Sequence, residues 1–262
     1  MNRIVFVDGL ASDVSNAIAS PLGLRSGVGA FEVFRTHERR LPTVHLHLER
    51  LSRSLLAMNI ACDLARIRRD VEGAVARIAG DARVDVRVER TESGVHDTVI
   101  ATAYSATECV PTASAASVRG RRVTTPGHKV LAYGAHGDAL AEARARGCDD
   151  ALLIDEDGLV REAATANVFA VSGRTLLTAP DGVLAGITRR LVLELASSVN
   201  LTVAYKALAL SDLFASDAVF LTSSVRGIAL VNSIDGTATG APDATRVAHR
   251  IARALNAHLR QR

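Results

Sequence analysis

Residues 127–189 read GHKVLAYGAHGDALAEARARGCDDALLIDEDGLVREAATANVFAVSGRTLLTAPDGVLAGITR. The pattern is a helix followed by two hairpins. DALAEARARG is rich in strong helix formers and ends at Gly147, a residue suited to a left-handed stop. ALLIDEDGLVREA is two apolar runs around Asp157-Gly158, and NVFAVSGRTLLTA repeats the arrangement around Ser172-Gly173, so each predicts a β-hairpin. The stretch opens with a lysine, and the chain is poor in lysine. Of 31 basic residues only Lys129 and Lys206 are lysines. Arginine keeps its charge at any physiological pH, so a retained lysine marks a place where an amine that can lose its proton is useful. A neutral lysine forms Schiff bases with carbonyl compounds. A leftover surface lysine in an arginine-biased chain is the competing explanation on this count alone.

Outward from that stretch, MNRIVFVDG reads as a strand closing on an Asp-Gly turn, and Leu10–Gly23 as a loop. GVGAFEVFR is a strand, THERR a turn, and the following residues a helix with Leu48, Leu51, Leu55 and Met58 on one face. Leu64, Ile67, Val71, Val75 and Ile78 mark a second helix. DVRVER and DTVIATAYS alternate as strands. TECVPTASAASVRG loses periodicity, which suggests a linker between two domains: 1–112, a linker over 113–120, and 121–262. Beyond the central stretch, ITRRLVLELASSV is an amphipathic helix, AVFLTSS and GIALVNSID are strands, and the chain from about Pro242 is an arginine-bearing helix. Strands paired through local hairpins make the expected class α+β rather than alternating βαβ.

Composition narrows the function classes. At 262 residues with 48% hydrophobic content the chain can bury a full core. Aromatic residues make up 3% and tryptophan is absent, so a base-stacking nucleic-acid surface is not expected. The formal charge is +3, with arginines interleaved among acids, which reads as a solvated surface. Cys62, Cys109 and Cys148 stand apart, without the spacing of a disulfide framework or a metal site. The charged N-terminus does not resemble a signal peptide, and no run approaches the ~20 apolar residues of a membrane span. A cytoplasmic protein without a membrane or nucleic-acid partner is the expectation.

Six segments in order resemble the fold-type IV family of pyridoxal-phosphate enzymes: GVGAFEVFR at 27–35, HLERL at 47–51, HKVLAY at 128–133, ARGCDDALLIDEDGLVREAATANVF at 145–169, LAGITRRLVLELA at 184–196 and FLTSSVRGIALV at 220–231. The family holds branched-chain and D-amino-acid aminotransferases and aminodeoxychorismate lyases. The resemblance implies a small N-terminal α+β sandwich, a larger, partly barrel-like C-terminal domain, pyridoxal 5'-phosphate in the cleft between them, and a homodimer.

The same resemblance assigns roles residue by residue. Lys129 is the Schiff-base lysine. Glu162 is the partner of the pyridine nitrogen; its bland alternative is a strand-end acid after the DEDG turn. Arg50 is the phosphate arginine, where an ordinary helix-surface arginine is the alternative. Gly186, Ile187 and Thr188 stand at a helix start, whose unpaired N–H groups suit an anion, and Ser223 and Ser224 add hydroxyls. Leu184 contacts the ring face or packs in the core. Tyr133 reaches the ring's phenolic oxygen, although Ala132 stands where many relatives carry Asn. Phe31, Arg35 and Arg90 fall at substrate-side positions, and His96 reads as a loop histidine. No metal is implied.

The activity implied is transfer of an amino group between amino and keto acids. Aminodeoxychorismate lyase, which forms 4-aminobenzoate and pyruvate, is the alternative. The short chain fits it, whereas Val33 stands where the lyases favour threonine. A third reading is a non-catalytic protein that kept the fold; Lys129, Glu162 and Arg50 together argue against it.

Overall fold

The computed structural model describes residues 3–12, 28–105, 110–120, 127–132 and 134–262. The chain divides into two compact units, one of residues 1–106, 128–134 and 262, the other of 107–127 and 135–261.

Among its described residues the first unit is an antiparallel sheet with two helices. Its strands are β1 (Arg3–Val7), β2 (Leu10–Ser12), β3 (Val28–Arg35), β4 (Ala82–Thr91) and β5 (Gly94–Ala103). They pair in the order β2-β1-β5-β4-β3. Leu10–Ser12, expected as loop, pairs back on β1 because Asp8 and Gly9 both take positive φ and close a tight turn. The rest of the expected loop lies outside the described residues. Strict alternation on β4 buries Val84, Val86 and Val88 and turns Arg83, Asp85, Arg87 and Glu89 to the other face, where they pair along the strand. Helices α1 (Val44–Leu56) and α2 (Leu64–Ala76) cover the apolar face. Leu48, Leu51 and Leu55 of α1 meet Ile67 and Val71 of α2 in one core with Phe34 of β3. Asp63 caps α2 by accepting Arg66 N–H at 2.9 Å.

Lys129 belongs to this unit, not to the domain that the sequence suggested. Its segment lies along β3: Phe31 N–H donates to Lys129 O at 3.0 Å and Leu131 N–H to Gly29 O at 2.8 Å. Gly29 permits that approach. A Cβ there would lie 2.1 Å from Val88 O and 2.8 Å from Leu131 Cδ1.

The second unit is built on ten strands: β6 (Thr112–Arg119), β7 (Asp150–Ile154), β8 (Leu159–Ala163), β9 (Asn167–Ser172), β10 (Thr175–Thr178), β11 (Thr202–Tyr205), β12 (Leu208–Ala209), β13 (Ala218–Ser223), β14 (Gly227–Ile234) and β15 (Thr237–Ala238). The main path runs β11-β10-β9-β13-β14-β6-β7-β8-β12, with β15 on β14. The supposed linker 113–120 is therefore largely strand. Its small residues let β6 fit between two parallel neighbours, β14 and β7. A third parallel pair joins β10 to β11, so the sheet is mixed rather than locally paired throughout.

The path ends force the sheet to curl. β11 and β12 occupy opposite edges of a nine-strand path, yet only Lys206 and Ala207 separate them in the chain. Such a link spans about 11 Å, whereas nine strands laid flat would be about 40 Å wide. The sheet bends back on itself, the partly barrel-like form expected.

Among the described residues four α-helices complete this unit, α3 (Gly134–Ala145), α4 (Ile187–Leu195), α5 (Leu210–Phe214) and α6 (Ala244–Gln261), with a short 3-10 turn at Ala196–Val199. Ala248, Ile251, Leu255 and Leu259 of α6 form a three-to-four spaced stripe that packs with Leu191 of α4 and the stacked rings of Phe169 and Phe220. Among the described residues no helix is long and apolar enough to cross a membrane, and no His, Cys, Asp or Glu cluster is arranged to hold a metal ion.

Candidate active site

Two groups of side chains, one in each unit, carry the predicted site residues. In the second unit they centre on Glu162. The β7–β8 hairpin places it near the end of β8, where it is 2% exposed. Its Oε2 accepts Leu184 N–H at 2.8 Å and Asn167 Nδ2 at 3.2 Å, and its Oε1 lies 3.3 Å from His136 Nε2 on α3. A buried carboxylate needs such partners. Asn167 also donates to Leu184 O at 3.0 Å, tying the loop before α4 to the end of β8. The reading of Glu162 as a strand-end acid on a polar face does not describe this setting.

Gly186 is the residue before α4, and no side chain caps that helix. A Cβ on Gly186 would sit 1.9 Å from Asn167 Oδ1, so any other residue there would push the Asn167 amide from its place beside Glu162. Ile187 and Thr188 are buried in the first turn, and Thr188 Oγ1 lies 3.5 Å from Ser224 Oγ. Ser223 Oγ accepts Arg226 N–H at 3.2 Å within the turn after β13. Beside it, Thr222 Oγ1 is buried with no hydrogen-bond partner. An uncapped helix start with hydroxyls from two elements is a donor set for a small dianion. Leu184 is half-buried and enters through its backbone N–H and C=O.

In the first unit, Lys129 Nζ lies 4.5 Å from the centre of the Phe31 ring, and its backbone N–H donates to Ser54 Oγ at 3.2 Å. Arg50, on α1, is buried and bound edge-on to Glu32, with Nε–Oε1 at 2.7 Å and Nη2–Oε2 at 2.6 Å. It is not a surface arginine. His47 Nδ1 lies 2.7 Å from Glu32 Oε2. Burial is the largest influence on Glu32 and alone would raise its pKa, but Arg50 and His47 outweigh it and hold the carboxyl down to about 2.

Arg35 and Arg90 have other neighbours. The Arg35 guanidinium lies 5.5 Å from the centre of the Tyr104 ring, and Arg90 donates to the carbonyls of Met58 and Asn59 beyond α1. His96 holds Asp8 at 2.7 Å and Ser93 at 2.8 Å. Tyr133 lies outside the described residues.

Sequence reading passed over Glu32, His47, Ser54, His136 and Asn167. Glu32 and Asn167 stood inside quoted motifs without a role. The only available signal was that a charged or amide group interrupts an apolar strand in AFEVF and ANVFAV.

A two-unit α+β chain with a buried glutamate beside an uncapped helix start, and a lysine lying along a strand of the other unit, defines a recognisable class. The profile of the amino-transferase class IV family matches residues 29–234. The chain belongs to that family. Branched-chain-amino-acid aminotransferase 1 of Arabidopsis thaliana is 34% identical over 115 residues, 42% of this chain and 30% of that protein. The match thus spans less than half of that relative's length. The bifunctional aminodeoxychorismate lyase / D-amino acid transaminase of Mycobacterium tuberculosis is 29% identical over 250 residues, 83% of this chain and 86% of that one. A hypothetical aminotransferase of M. tuberculosis, solved in its PLP-bound form, superposes with a TM-score of 0.81 at 25% identity, covering 98% of this chain and 99% of that one.

Proposed function

We propose that this chain is a pyridoxal-phosphate-dependent aminotransferase that moves an amino group between an amino acid or amine and a keto acid. The observation that carries the reading is Glu162, a buried carboxylate held by His136, Asn167 and the Leu184 N–H beside an uncapped helix start. Bound pyridoxal phosphate supplies an aldehyde and a ring that withdraws electrons from the substrate carbon.

The residues fit that group. In the second unit the N–H groups of Ile187 and Thr188 and the hydroxyls of Thr188, Ser223 and Ser224 would hold the phosphate dianion, and the resemblance gives Arg50 the part of a phosphate arginine. Glu162 holds a proton on the pyridine nitrogen. Its fixed partners leave it no freedom to turn away, so its position is set before the cofactor arrives. Lys129 contributes its amine to the covalent link. Once displaced by the substrate amine, Lys129 Nζ would carry the α-proton from the substrate carbon to the former aldehyde carbon of the cofactor. The Phe31 ring lies beside Nζ, its centre 4.5 Å away. By the resemblance, Leu184 would contact the ring and Tyr133, outside the described residues, would bind its phenolic oxygen. Arg35 and Arg90 are candidates for the substrate carboxylate. We place the enzyme in the cytoplasm as a homodimer.

Aminodeoxychorismate lyase is the second reading, favoured by the M. tuberculosis relative whose name carries both activities and which aligns over most of both chains. One experiment separates them. The holoenzyme is given a panel of amino donors without an acceptor, and separately aminodeoxychorismate. Transamination yields one keto acid per site and a stable pyridoxamine form. If no donor does this while aminodeoxychorismate turns over to aminobenzoate and pyruvate, the lyase reading replaces ours. The absence of any absorbance from bound cofactor would favour the non-catalytic reading instead.

A further inference from the structure

An ion pair of the second unit, to which the preceding roles assign nothing, ties together two turns that carry site residues. Asp150 opens β7 and is fully buried. Its Oδ2 accepts the Thr165 hydroxyl and Arg226 Nη2, and Nη2 also donates to Thr165 Oγ1, each at 2.5 Å. A carboxylate only accepts, so the Thr165 hydroxyl gives its proton to Asp150 and takes one from Arg226. Thr165 lies in the link 164–166, between Glu162 near the end of β8 and Asn167 at the start of β9. Arg226 closes the turn 224–226 between β13 and β14, and its backbone N–H donates to Ser223 Oγ. β8 and β9 are five steps apart along the sheet path. Laid flat, they would stand about 24 Å apart, whereas the chain from Ala163 to Asn167 reaches at most about 14 Å. The curl therefore closes at this end, where the parallel strands β14, β6 and β7 all begin. Arg226 crosses that end, from the β13–β14 turn to β7 and the β8–β9 link.

We propose that Arg226 is a positioning residue for phosphate recognition: gripped by Asp150 and Thr165, it fixes the turn bearing Ser223 and Ser224 against the link that joins Glu162 to Asn167. This rests on the reading of Ser223 and Ser224 as phosphate hydroxyls, and every residue it uses belongs to the second unit. Asn167, at the far end of that link, holds Leu184 O in the loop before α4, so the same tie reaches the helix start. A short turn left to itself loses conformational freedom when it binds an anion; a turn fixed in advance does not. The grip is strong because Asp150 is buried. Releasing Arg226 would strand its charge away from water, so the turn does not open readily. Arg226 also carries a positive charge that attracts a dianion through space. Asp150 largely cancels that charge at contact distance, which leaves positioning as the larger effect.

The test compares affinities of the full-length apoprotein for pyridoxal phosphate and for pyridoxal, which lacks the phosphate, read from the absorbance of the adduct at Lys129. Their ratio reports phosphate recognition; a general loosening of the fold lowers both affinities. Arg226→Met alone would leave Asp150 buried and unpaired, so it is combined with Asp150→Asn. The pair removes one charge of each sign and leaves the net charge unchanged. It should reduce the ratio by about tenfold, the scale of one charge-assisted hydrogen bond. Arg226→Lys, which keeps the charge with a shorter reach, should fall between and serves if the pair does not fold. Ser223→Ala with Ser224→Ala should reduce the ratio as well. Added to those two substitutions, the Arg226–Asp150 pair should lower it no further, because it acts through the serines. A wild-type ratio in the Arg226–Asp150 pair, with a reduced one in the serine variant, overturns the proposal. So does an equal further loss in the serine background, which would mean that Arg226 meets the phosphate itself. If the unsubstituted protein forms no adduct at Lys129 with either aldehyde, the cofactor reading fails and takes this proposal with it. If it forms the adduct but the serine variant leaves the ratio unchanged, this proposal fails alone.

Discussion

Lys206 Nζ donates to Asp212 Oδ1 at 2.7 Å on the exposed edge of the second unit, while the other lysine, Lys129, has its Nζ 4.5 Å from the centre of the buried Phe31 ring. The two amines therefore sit in different chemistry. Lys206 is engaged by a carboxylate; Lys129 lies on an apolar, electron-rich face. Borohydride reduction of the holoenzyme should place the cofactor on Lys129 alone. Lys129→Ala should lose activity by several orders of magnitude, roughly the scale for removing a covalent catalyst. A peptide map with the adduct on Lys206 would overturn this assignment.

Glu162→Gln should retain the fold and bind cofactor, since Gln can keep the contact with the Leu184 N–H. Proton abstraction should slow by about a hundredfold or more, because a neutral amide cannot hold the charged form of the ring nitrogen. Single-turnover kinetics of the half-reaction measure this step directly. Glu162→Asp should recover part of the rate. Unchanged rates in both variants would remove Glu162 from the mechanism.

Gly186→Ala tests the close approach at α4. The added Cβ would lie 1.9 Å from Asn167 Oδ1 and 3.2 Å from Arg189 Cβ, so Asn167 must give up its place against Glu162. A loss of about 1–3 kcal/mol is expected from such overpacking. It should appear as a lower melting temperature of the apoprotein and as weaker cofactor binding. A variant that melts with wild-type protein and binds equally well would mean that the loop relaxes without strain.

Acid should destabilise the first unit in two windows. Burial, reinforced by Arg35, depresses the His37 pKa to about 4 from its ordinary 6.5. Between those values the unfolded chain takes up a proton that the folded one refuses, so stability falls as the pH drops from 6.5 towards 4. Burial also lowers His47, in the same direction. Glu32, held down to about 2 from 4.5, contributes stability that is present above 4.5 and lost as the pH falls towards 2. Urea midpoints at pH 7 and pH 5 should diverge in the wild type and converge partly in His37→Gln. Equal loss in both proteins would assign the first window to other groups.

The sequence alone determined α1, α2, the two hairpins after Lys129 and the terminal helix, because their signals are local: apolar residues at three-to-four spacing, and Gly158 and Gly173 at turns where φ is positive. It also singled out Lys129, Glu162 and Arg50, through their places in an ordered set of motifs. What it could not determine were relations between residues far apart in the chain. Residues 113–120 looked like a linker because small side chains carry little alternation; only two parallel partners, β7 and β14, make most of them a strand. The curl of the second sheet follows from two residues having to join its opposite edges. Glu32 reads in the sequence as one acid among 28 acidic residues, until the fold brings His47 from 15 residues away and Arg50 from 18 to surround it. His136 likewise reaches Glu162 across 26 residues. A buried charge is tolerable only where its partners converge, and that convergence is a property of the packed chain rather than of any segment.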